Sequence, residues 1–160
     1  RGDPHRDQDL LRGAPRAGAL SFYAMRIVGH GIDLVRVERI EGMIKRHEAH
    51  FLDRCFTVRE QAYCEQGGRR RAEHYAARFA AKESVLKALG RGLRSGMTWT
   101  QIEVVADSWG RPGIELHGDA LVLADEIGIT DWQLSLSHVE QFASASVIAV
   151  AGSDCAASEI

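Results

Sequence analysis

Three places in this chain combine residue types that can do chemistry. The first is Asp33, set in the run IVGHGIDLV from Ile27 to Val35. Aspartate is disfavoured in strands, and a buried carboxylate is costly unless it is paired or holds a cation. The glycines at 29 and 31 admit close approach of another backbone or of a ligand. The competing reading is a helix N-cap, because a helical pattern begins at Val37; taken alone, Asp33 reads better as that cap. The second place is the stretch RFAAKESVLKALG from Arg78 to Gly90. Tyr75, Phe79, Leu86 and Gly90 follow a core-facing stripe, and Glu83 falls on or beside it. A carboxylate there is either neutralised by a partner or ligates a metal. Glu83 and Lys87 are spaced i,i+4, as are Arg78 and Lys82, so an ordinary surface pair worth roughly a few tenths of a kcal/mol competes with that reading. The third is Ser135-Leu136-Ser137-His138. Neighbours in a strand point to opposite faces, so Ser137 and His138 cannot act as nucleophile and base. No G-x-S-x-G elbow is present either. His138 is read as a ligand contact at a strand end, with a structural histidine as the alternative.

Weaker candidates surround these. His47 and His50 share a helix face that could hold a metal, but they better suit a solvated helix end. Arg69-Arg70-Arg71 is a charge run that could meet a phosphate. Gly29-x-Gly31 lacks the third glycine of a dinucleotide fingerprint. Cys55, Cys64 and Cys155 form no C-x-x-C pair and read as reduced thiols rather than a disulfide frame.

The elements that must position these residues can be read from periodicity. A β-branched run from Arg26 makes a strand, and Val37, Ile40 and Ile44 start a helix that reaches about residue 50. Thr57-x-x-Glu60 is a capping box for a second helix, which Gly67-Gly68 ends. The longest helical pattern covers residues 70–89, with Gly90 in the position of a left-handed cap. Residues 101–106 and 114–117 read as strands around turn chemistry at 109–113, and 118–127 as a helix stopped by Gly128. Two strands close the chain, one alternating from Trp132 and one over residues 142–151. This order implies an α+β fold with an antiparallel sheet packed against helices.

Composition sets the outer limits. The chain has 160 residues, 45% of them hydrophobic, which fits one domain of ordinary size. Twenty Lys and Arg against 22 Asp and Glu give a net charge of −2, which excludes a broadly basic nucleic-acid coat. No apolar run approaches the roughly 20 residues a membrane-spanning helix needs. Residues 1–24 carry two of the three prolines and little periodicity, and are read as a non-core extension (read-through, tag or flexible arm). The domain is expected over residues 25–152, with a tail over 153–160.

Taken together and in this order, the three constellations resemble the 4′-phosphopantetheinyl transferase superfamily, in its short bacterial form. Gly31, Asp33 and Arg39 match the family's opening pattern. Phe79, Lys82, Glu83, Lys87, Ala88 and Gly90 match the central one. Ser135, Ser137 and His138, followed by Ala143, Ser144 and Ala145, match the closing one. The likeness covers residues 25–150; Ser84 stands where alanine is common.

The resemblance implies the superfamily's fold and its reaction. The phosphopantetheine arm of coenzyme A moves to a serine of an acyl carrier protein, in support of fatty-acid or polyketide synthesis in the cytoplasm. It implies Mg²⁺ on Asp33 and Glu83, with Glu83 or a metal-activated water as the base and Lys87 at the leaving phosphate. Arg78, Lys82, Gly90 and His138 are expected at coenzyme A. The acidic carrier is expected to dock on Arg36, Arg39, Lys45 and Arg46, and the active sites to lie between the subunits of a homotrimer. Rival classes are a non-catalytic binding module that keeps this fold and a Ser-His hydrolase.

Overall fold

The computed structural model describes residues 25–93 and 96–152; the expectations for residues 1–24 and 153–160 lie outside the described residues. The chain runs β1 (Arg26–Arg36), α1 (Val37–Cys55), α2 (Val58–Glu65), α3 (Arg71–Ala88), β2 (Ile102–Ala106), β3 (Pro112–Leu116), α4 (Gly118–Ile127), β4 (Ile129–His138) and β5 (Phe142–Ala151), with single 3-10 turns at Gly68–Arg70 and Trp99–Gln101. The strands form two antiparallel sheets, one ordered β1-β5-β4 and the other pairing β2 with β3. The expected α+β class is therefore present. Its sequence-derived elements recur within a few residues, except that α1 runs on to Cys55 and, at 19 residues, is longer than the 18 of α3. None of the helices described is long and apolar enough to cross a membrane.

Helix α3 lies across one face of the three-stranded sheet. That face is built from alternate residues: Gly29, Gly31, Asp33 and Val35 of β1 stand opposite Ala149, Val147, Ala145 and Ala143 of β5. The alanines of β5 are buried beneath α3. The other face is open, with Ile32 at 59% and Leu34 at 65% exposure beside Ser144, Ser146 and Ile148. Chemistry and open surface thus alternate along β1.

The two glycines of β1 set the distance to α3. A Cβ on Gly31 would collide with the Ser84 carbonyl oxygen, and one on Gly29 with that of Ala88. The backbones therefore touch, and Ser84 tightens the seam by donating to Ala80 O at 2.8 Å and Ala145 O at 3.1 Å. Gly31→Ala should push β1 off α3 and destabilise the fold by about 1–3 kcal/mol or more. Chemical denaturation would check this, and a variant of unchanged stability would contradict the close contact.

Candidate functional site

Asp33 does not cap α1. The N-cap is Arg36, with no side-chain bond, and Asp33 points instead to the helix side of β1. There it meets α3 at the turn carrying Glu83 and Lys87. Lys87 does not pair with Glu83 along the helix. Its ammonium crosses to β1 and donates to Asp33 Oδ1 at 2.9 Å and to the Ile32 carbonyl at 2.7 Å. Glu83 is half-buried. Burial holds its carboxyl above the usual carboxylate range, the negative charge of Asp33 adds to that rise, and Lys87 and Arg39 oppose it. Two acids 50 positions apart therefore face each other across a strand–helix seam.

Beside them opens a cleft of about 460 Å³ lined by Glu83, Leu86, Lys87, Gly90, Leu93 and Trp99. Gly90 follows the end of α3 with φ +70°, so the chain turns away there and leaves the cleft open. Neither Trp99 nor Leu93 was singled out by sequence reasoning. The available signals were the Thr98-x-x-Gln101 capping box and the glycines at 90 and 92.

Lys82 requires a correction: it does not reach this cleft. Its ammonium is fully buried and donates to Glu60 Oε2 at 2.7 Å and to the Trp99 carbonyl at 3.0 Å. Glu60 also accepts from Thr57 N at 2.9 Å and Val104 N at 3.0 Å. The physical reason is rotation: Lys82 sits about 100° round the helix from Glu83 and faces the core. The capping-box glutamate thus has a second role that local sequence does not reveal.

Arg78 and His138 come together, but elsewhere. Five residues before Glu83, Arg78 is turned about 140° round α3 from it. With His74, His138 and Tyr63 it lines a separate cleft of about 220 Å³. Its guanidinium lies 3.9 Å over the Tyr63 ring, and its buried Nε has no partner. His74 Nδ1 is likewise buried and unpartnered. Burial, reinforced by the charges of Arg78, His138 and Arg70, holds His74 below the usual histidine range. His138 Nδ1 lies 3.0 Å from Glu73 Oε2 and 3.2 Å from Arg70 Nη2, and its tautomer decides which of the two it binds.

Arg36, which ends β1, and Arg39, Lys45 and Arg46 of α1 are all exposed. Arg39 and Arg46 share a stripe with Met43 and His50. Lys45 is turned about 120° away from Arg39 and bonds Glu41 at 2.9 Å. Arg36 lies 6.0 Å from the centre of the Phe142 ring.

A further acidic group, Glu103, Glu115 and His117, converges within 4.8 Å on another part of the surface. It is knitted by Arg59 and Thr57 rather than left open. Cys55 and Cys64 are buried and free, and burial pushes the Cys64 thiol up to about 12, which leaves it inert at neutral pH.

The α+β domain thus carries an acid on its first strand, an acid and a lysine on its long helix, and a separate basic cleft. The chain belongs to the 4′-phosphopantetheinyl transferase superfamily, whose profile it matches over residues 29–148. It is 45% identical over 122 residues to a holo-[acyl-carrier-protein] synthase of Geobacter sulfurreducens, covering 76% of this chain and 96% of that one. The crystal structure of the holo-[acyl-carrier-protein] synthase from Neisseria meningitidis superposes with a TM-score of 0.70 at 34% identity, covering 78% and 98%. That from Bacillus anthracis, in complex with coenzyme A (3′,5′-ADP), superposes with a TM-score of 0.65 at 34% identity, covering 80% and 99%.

Proposed function

We propose that Asp33, Glu83 and Lys87 carry the chemistry of phosphopantetheine transfer, and that Asp33 and Glu83 are the residues that would hold Mg²⁺. The chain moves the 4′-phosphopantetheine arm of coenzyme A onto a serine of an apo acyl carrier protein and releases adenosine 3′,5′-bisphosphate. Fatty-acid or polyketide synthesis in the cytoplasm is the consumer of that product. The observation carrying the residue assignment is geometric: Lys87, one turn after Glu83 on α3, crosses to Asp33 Oδ1 at 2.9 Å, so both acids and the lysine meet at one strand–helix seam. Two carboxylate oxygens suit Mg²⁺, which takes one or two carboxylates together with substrate phosphates and water. When bound, the ion supplies positive charge to the diphosphate oxygens.

The remaining steps belong to side chains. Glu83, which lines the cleft beside Lys87, is placed to take the proton of the attacking serine, directly or through a metal-activated water. Lys87, steadied by Asp33 and the Ile32 carbonyl, offsets charge growing on the leaving phosphate. The unpartnered Nε of Arg78, with His138 beside it, suits another phosphate of coenzyme A. These two basic residues and the acid pair lie on different sides of α3. We assign the two sets to different copies of the chain, so that one coenzyme A lies between subunits of a homotrimer. The open apolar face with Ile32 and Leu34 offers the surface for such packing. The carrier docks on Arg36 at the end of β1 and on Arg39 and Arg46 of α1, with Lys45 already engaged by Glu41.

Incubation with coenzyme A, Mg²⁺ and an apo carrier should add one phosphopantetheine to the carrier by intact mass, and EDTA should suppress the gain. Arg46→Glu should raise KM for the carrier by about tenfold while leaving coenzyme A affinity unchanged. Transfer that persists in EDTA would overturn the metal assignment, and equal loss for both substrates would overturn the docking face.

A further inference from the structure

We infer that Trp99 is a positioning residue for the acceptor serine, forming a wall shared by the Glu83 cleft and an apolar groove along α1; this rests on the function proposed above. On one side Trp99 borders the cleft of Glu83, Leu86 and Lys87. On the other it borders a groove of about 380 Å³ with Met43, His50, Phe51 and Phe79. Its ring stacks on Phe79 at 5.0 Å and 29°, one helical turn before Glu83. Its carbonyl is held from beneath by the buried ammonium of Lys82, the residue next to Glu83. Both anchors of Trp99 therefore belong to the stretch of α3 that carries the acid.

The groove is continuous with the stripe of α1 that bears Arg39, Met43, Arg46 and His50. A carrier held by those arginines lies along the groove and meets Trp99 on its way to Glu83. A flat, anchored ring at that point limits the angles from which the serine can approach. The leverage is geometric, because a displacement of about 1 Å from the attack position costs on the order of 10²-fold in rate. For coenzyme A the groups assigned above are Lys87, Arg78 and His138 at its phosphates, with Asp33 and Glu83 at the metal, so the indole is not needed to hold it.

The test is steady-state kinetics of Trp99→Ala, Trp99→Leu and Trp99→Phe in the full chain, with calorimetric titration of coenzyme A. Trp99→Ala should raise KM for the carrier and lower kcat, for a combined loss of about tenfold or more, with Kd for coenzyme A within about twofold of the parent. Trp99→Phe should recover most of the loss. Trp99→Leu, which fills space without a flat ring, should not. Should Trp99→Ala fail to fold, the Phe and Leu variants decide. Equal recovery by Leu and Phe would make Trp99 a filler and overturn the inference, as would parallel weakening of coenzyme A. Trp99 variants that match an active parent would sink this inference alone, whereas a parent without transfer activity would sink the proposed function with it.

Discussion

Glu83→Gln is expected to lower the transfer rate by about 10²–10⁴-fold and, in protein stripped of metal by EDTA, to raise the melting temperature at pH 7. The two effects share a cause. Glu83 is held above the usual carboxylate range by burial and then by the charge of Asp33. A group whose pKa is raised on folding contributes stability that is fully present below its unfolded value and is lost as pH climbs through the folded one. As pH rises past the unfolded value this raised carboxyl therefore costs the fold stability, and glutamine removes both the buried acid and its repulsion from Asp33. The gain should be a few degrees, roughly what relieving one unfavourable group provides in a domain of this size. Parent and variant should melt alike near about pH 4, where the unfolded carboxyl titrates, and diverge as pH rises. Calorimetry across pH with a parallel transfer assay would measure both. A fully active variant would remove Glu83 from the reaction. An inactive one that melts lower at pH 7 would make it a structural group.

Lys82→Met is expected to have the opposite profile, a large loss of stability with coenzyme A affinity retained in the molecules that fold. The substitution strands Glu60, whose carboxylate is wholly buried and keeps only the Thr57 and Val104 amides as donors. Breaking a buried pair from one side costs about 3–5 kcal/mol, which in a domain of this size lowers the melting temperature by upwards of about 10 °C. Glu60→Gln added to Lys82→Met should recover part of that loss, because neither charge is then left alone. Thermal melts of the single and double variants, with coenzyme A titrated into each, would separate the outcomes. A stable Lys82→Met that no longer binds coenzyme A would restore the lysine to the phosphate site and overturn the buried-pair account.

The two residues also mark how far the sequence could be read. Periodicity and stop residues found β5 and α4 to the residue, because those signals are local: alternating burial in one, Gly128 after Ile127 in the other. Asp33 and Glu83 stood out because a carboxylate in an apolar pattern is an anomaly visible in a single segment. Lys82 was misplaced because its partner lies 22 residues away on another helix, and a cross-element ion pair leaves no spacing signature. Lys87 matched a local i,i+4 pair with Glu83, yet its ammonium prefers Asp33, 54 residues earlier. Trp99 escaped notice for a related reason. Its significance is its place between two cavities, and that exists only once α1 and α3 are packed.

The alternation along β1 has a consequence for how this chain can vary. Odd-numbered positions from 29 to 35 look toward α3, and even-numbered ones from 30 to 36 look away. Deleting a single residue between Gly29 and Asp33 would invert that parity. The acid would swing to the open side, and a bulky isoleucine would be driven into the seam that only glycine fits. Losing two residues preserves the parity and shortens the strand by one repeat. Length changes in this strand should therefore be tolerated in pairs or not at all.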